Sequence, residues 1–71
     1  MTYTLSAIIE REGDWYVATC PELDVASQGC TVEEARQNLY EAVQLFFETA
    51  DPKEFSIPPE PPFITTFKIA V

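Results

Sequence analysis

Residues 31–52, "TVEEARQNLYEAVQLFFETADP", constrain this chain most, because they specify one helix with both ends marked. Thr31 followed three positions later by Glu34 is a capping box, in which the hydroxyl accepts the N3 amide and the carboxylate reaches back. Glu33 and Glu34 also lie at the positive end of the helix dipole. Val32, Ala35, Leu39, Ala42, Val43, Phe46 and Ala50 recur at three- and four-residue spacing, which gives one apolar stripe. Arg36, Gln37, Glu41, Gln44 and Glu48 fall largely on the other side. Pro52 stops the run, so a helix of about 18 residues, roughly 27 Å long, is expected.

A chain of 71 residues with one such helix must find the rest of its core in strands. "YTLSAIIER", residues 3–11, alternates with Tyr3, Leu5, Ala7 and Ile9 on one face. "EGD" at 12–14 is a turn, and "WYVATC", residues 15–20, completes a hairpin. Pro21 removes a ladder donor and ends that strand. A short third strand, "DVASQ", follows the turn around "PEL". After the helix, "SIPPEPPF" holds four prolines in residues 56–62, which favours an extended polyproline II connector. "FITTFKIAV", residues 63–71, then alternates again, with Phe63, Thr65, Phe67, Ile69 and Val71 on one face. The expected fold is α+β, in the order β-β-β-α-β, one domain over residues 1–71 with one helix on a four-stranded mixed sheet. One helix covers one sheet face, so a second copy of the chain is expected to cover more apolar surface.

Composition narrows the function. Twelve acidic against four basic residues give a net charge of −8. Arg11, Arg36, Lys53 and Lys68 are scattered, and nucleic-acid backbones require clustered cations. An acidic domain suits a basic protein partner instead. The chain has no histidine and two cysteines, Cys20 and Cys30, without the short spacing of zinc sites. No base is present to hold either thiol as a nucleophile. No cofactor or metal is expected. The N-terminus lacks a basic region followed by an apolar run, and no stretch is long enough to span a bilayer. A cytoplasmic protein with free thiols is the expectation. Glu10, Asp14, Glu22 and Asp24 lie on or near the first three strands, where a two-metal nuclease gathers its acids. That alternative lacks basic groups for substrate phosphates.

"YVATCPELDVASQGCTVEEARQNLYEAVQLFFE", residues 16–48, resembles the HicB family of antitoxins. The matching positions are Pro21, Glu22 and Leu23 after a strand, then Gln28 and Gly29, then Thr31, Glu34, Ala35, Asn38, Glu41 and Ala42. The resemblance implies a partial RNase H-like β-β-β-α-β fold. It further implies a non-enzymatic antitoxin of a type II toxin–antitoxin system. Its partner would be a small, basic, HicA-like toxin that cleaves mRNA and is neutralised by direct contact. Many such proteins bind operator DNA through a segment after the last strand; no such segment follows Val71 here, so no nucleic-acid binding is expected. Glu10, Glu22 and Asp24 are the candidate partner contacts, chosen for charge and position. A regulatory or assembly domain with an unrelated partner is the remaining alternative.

Overall fold

The computed structural model describes residues 2–71 and has the element order β1 (Ile8–Glu12), β2 (Trp15–Cys20), β3 (Val25–Gly29) and α1 (Val32–Thr49), then a one-turn 3₁₀ helix, Pro52–Glu54. The three strands form an antiparallel sheet in the order β1-β2-β3, and the fold is α+β. Gly13 and Asp14 link β1 to β2, because Glu12 pairs with Trp15. Gly13 has φ +62, and a Cβ there would meet nothing within 4 Å. Backbone conformation, rather than space, is therefore what requires glycine at this turn.

The register explains where β1 begins. Ile8 pairs with Thr19, so continuing the ladder would set Ser6 opposite Pro21, which has no N–H to give. The strand expected over 3–11 accordingly starts only at Ile8. The third strand is also displaced by one residue, to Val25–Gly29, because Asp24 adopts the left-handed conformation with φ 55. Leu23 N–H closes the intervening turn on the Cys20 carbonyl at 3.3 Å.

The helix has the expected cap and length. Thr31 is the N-cap, and its Oγ1 accepts the Glu34 N–H at 3.0 Å. The Glu34 carboxylate reaches one residue further back than the standard box and accepts the Cys30 N–H at 2.9 Å. Gly29 serves the same junction by its size. A Cβ there would lie 2.5 Å from the Ala35 nitrogen and 2.8 Å from the Glu34 carbonyl carbon. Its φ is not positive, so close approach of backbone to backbone is the reason for glycine. Asn38 adds a bond from the helix to the Gln28 carbonyl at 2.8 Å.

Small side chains follow from that approach. The buried core is Ala18, Cys20, Leu23, Ala35 and Leu39, with Leu5, Ile9, Tyr16, Val25 and Val43 packed partly buried around it. A second cluster closes the far end of the helix. Phe46, Phe47 and Phe55 meet edge to face at centroid distances of 5.4–5.6 Å, and Tyr3 stacks on Phe47 at 5.5 Å. Such pairs contribute about 1 kcal/mol each beyond burial. Together they hold both the N-terminal segment and the chain leaving the helix.

The expected fourth strand does not join this sheet. Residues 63–71 pair with no strand among the described residues, and every residue from Pro58 to Val71 is exposed. The radius of gyration is 13.8 Å, against about 11 Å for a globule of this length. A strand forms only where a neighbour satisfies its backbone groups. The proline connector carries this segment away from the only sheet in the described chain.

Candidate protein-binding surface

Alternation along the strands sorts the sheet into two faces. Ile9, Tyr16, Ala18, Cys20 and Val25 face the helix and its core. The other face carries Ile8, Glu10 and Glu12 from β1, Trp15, Val17 and Thr19 from β2, and Ala26 and Gln28 from β3. No described element covers it. Glu10 pairs across the ladder with Val17, and Glu12 with Trp15, so carboxylates and apolar side chains interleave there. Glu10, Glu12, Val17 and Thr19 line a shallow depression together with Arg11. Arg11 curls back at its rim, its Nε donating to the Gly13 carbonyl at 3.1 Å. Trp15 is 50 % exposed at the hairpin end of this face.

The three candidate contacts occupy different settings. Glu10 is exposed on the open face. Asp24 is exposed, and its backbone makes the turn into β3. Glu22 is partly buried and engaged within the fold: Oε2 accepts the Ser6 N–H at 3.0 Å and Oε1 accepts the Cys20 thiol at 3.6 Å. Burial alone would raise its pKa, but these hydrogen bonds, with that from Ser6 foremost, prevail and hold it below the usual carboxylate value. The carboxylate thus takes up the Ser6 N–H at the point where the ladder stops short of Pro21. Glu22 acts on the fold first, by tying residues 2–7 to the turn after β2.

The open face carries groups suited to recognition. Among the described residues, no three Cys, Asp or Glu side chains are grouped to hold a metal. Cys20 is 1 % exposed, and its thiol pKa is raised by burial and by the Glu22 carboxylate beside it. Cys30 is exposed and free. An acidic surface with a half-exposed indole, by contrast, suits cationic side chains and aromatic anchoring. Glu12 and Trp15 were not among the candidates read from the sequence. Their signal was available: Glu12 shares Glu10's strand face by the period of two, and Trp15 opens the strand opposite.

No described helix is long and apolar enough to cross a membrane. No protein-family model matches the chain, and no solved structure matches it. It is similar along its length to UPF0150 protein ssr1765 of Synechocystis sp., with 37% identity over 71 residues. The alignment covers 97% of this chain and 90% of that relative, a match that spans the hairpin, the helix and the segment beyond it. The chain therefore belongs to the UPF0150 family.

Proposed function

We propose that this chain is a protein-binding module of the antitoxin type, acting by contact rather than catalysis. Its partner is a small, basic, HicA-like mRNA-cleaving toxin, met in the cytoplasm. The observation that carries this reading is the uncovered sheet face, where Glu10 and Glu12 surround Val17 beside the exposed Trp15. A net charge of −8 steers a cationic protein toward that face, and a half-exposed tryptophan gives it an anchor. The HicB-like pattern over residues 16–48 supports the same class of partner. It also supports a partial RNase H-like sheet of four strands, completed by residues 63–71. The alternative of a metal-dependent nuclease finds less support, because Glu10 lies on the open face while Glu22 is bonded to Ser6 and Cys20.

The test is titration of the purified chain with a HicA-like toxin at low and moderate salt, read by calorimetry. Tight binding that weakens with salt is expected, and Trp15→Ala combined with Glu10→Lys should weaken it at least tenfold, or about 1.4 kcal/mol. Asp24→Lys should have a smaller effect. Absence of binding, or binding indifferent to the Trp15 and Glu10 changes, overturns the proposal.

A further inference from the structure

Residues 63–71 form a long apolar run that the fold leaves unused. Phe63 is fully exposed, Phe67 is 84 % exposed and Ile69 76 %. Alternation of this kind is the pattern of a strand with one buried face, and an exposed apolar run of this size marks an interaction site. The fold also offers a matching vacancy. The outer edge of β1 is unpaired, and α1 lies chiefly over β3, less over β2 and barely over β1. Beside that edge, an apolar cleft opens between Leu5 and Ala7 on one side and Leu39, Tyr40 and Val43 of the helix on the other.

We propose that residues 63–71 of one copy add as a fourth strand to the outer edge of β1 in a second copy, the two chains exchanging these strands reciprocally. Both faces of the segment fit that position. With Phe67 and Ile69 turned toward the helix side, they enter the cleft under Tyr40 and Val43. Lys68 then turns to the opposite face, where β1 presents Glu10 and Glu12 in a strongly acidic chain. Opposite charges on neighbouring strands of one sheet face attract. Main-chain pairing supplies the rest, since an edge strand presents a row of free N–H and C=O groups.

The connector decides that the recipient is a second copy. Pro58, Pro59, Pro61 and Pro62 hold residues 56–62 extended, a span of roughly 22 Å at about 3.1 Å per residue. Pro58, Glu60 and Pro62 border Pro21 and Glu22, yet every residue from Pro58 to Val71 stays exposed, and the molecule is drawn out to 44 × 26 × 17 Å. A stiff arm that leaves its strand exposed delivers it to a neighbour more readily than it doubles back, the condition under which identical elements exchange between protomers.

The exchange is tested on the full chain without any toxin, so its failure and that of the antitoxin reading are distinguishable. Sedimentation over a range of concentrations should show a dimer. Phe67→Asp with Ile69→Asp should weaken it at least ~100-fold, while circular dichroism shows the helix intact, because neither side chain belongs to the packed core. Lys68→Glu should weaken it several-fold. In a Cys30→Ser background, a donor dye on Thr66→Cys and an acceptor on Gln37→Cys, both exposed positions outside the proposed contacts, placed in separate chains and mixed, should transfer energy efficiently. A monomer at high concentration overturns the proposal. So does a dimer indifferent to the two aspartates, or one with no transfer between the labelled chains.

Discussion

Residues 15–20 and residues 63–71 are written in much the same language. Each is a short run of aromatic, β-branched and small residues with alternation, "WYVATC" and "FITTFKIAV". The first is the central strand of the sheet, and its Ala18 and Cys20 are the most deeply buried side chains on it. The second pairs with no strand among the described residues. Composition cannot account for the difference; the connections can. Strand β2 is delivered to β1 by the two residues Gly13 and Asp14, and the first of them has the positive φ that a tight hairpin demands. The C-terminal run arrives at the end of a proline arm. Strand propensity is permission to pair, and the connection preceding the strand decides with whom.

That contrast is sharpest in stability measurements at concentrations where the chain is monomeric. Leu39→Ala removes a buried side chain that bridges helix and sheet and should cost about 3 kcal/mol in urea denaturation. Phe67→Ala, a larger deletion in an equally apolar setting by sequence, should stay within about 0.5 kcal/mol. Comparable losses at the two sites would mean that the C-terminal run packs on its own chain.

Gly29→Ala probes the packed region by addition rather than removal. The new methyl would stand 2.5 Å from the Ala35 nitrogen, and backbone on both sides leaves nothing flexible to yield. A loss of about 2 kcal/mol is expected, with α1 displaced from β3. A neutral outcome would show that the helix can ride outward freely.

The smallest effect concerns Glu22 and the boundary between packed and loose backbone. Its folded pKa lies below the ordinary carboxylate value, so it contributes stability at neutral pH, fully present above the unfolded value. That contribution fades as pH falls through the folded value. Glu22→Gln should therefore be less stable than the parent chain near neutrality, with the gap closing in acid. A gap independent of pH would place the effect of the substitution elsewhere than in the charged hydrogen bonds to Ser6 and Cys20.

Much of the packed region was legible because its signals are local. The cap at Thr31 and Glu34, the stripe from Val32 to Ala50 and the stop at Pro52 all act within a few residues of the element they bound. Strand β2 was bounded equally well, by Gly13 before it and Pro21 after it. What escaped were consequences of pairing. The start of β1 at Ile8 depends on its register with β2, and only that register reveals that Pro21 falls opposite Ser6. The steric duty of Gly29 appears only once the helix is laid against it. Of the candidate contacts, Glu22 carries an unreadable duty because its partner amide lies sixteen positions away. Glu10 could be placed on a face, but its neighbours Glu12 and Trp15 became visible only with the open side of the sheet.

The position of Trp15 has a practical consequence. It is the chain's single tryptophan, and it stands at the hairpin end, half in solvent, away from Leu39 and the aromatic cluster. Its fluorescence will change little when the core melts, because the indole exchanges one wet environment for another. An unfolding curve followed at that wavelength would make the protein look featureless. The same reporter should shift strongly toward the blue when something settles on the open face, so the protein carries its own indicator of occupancy.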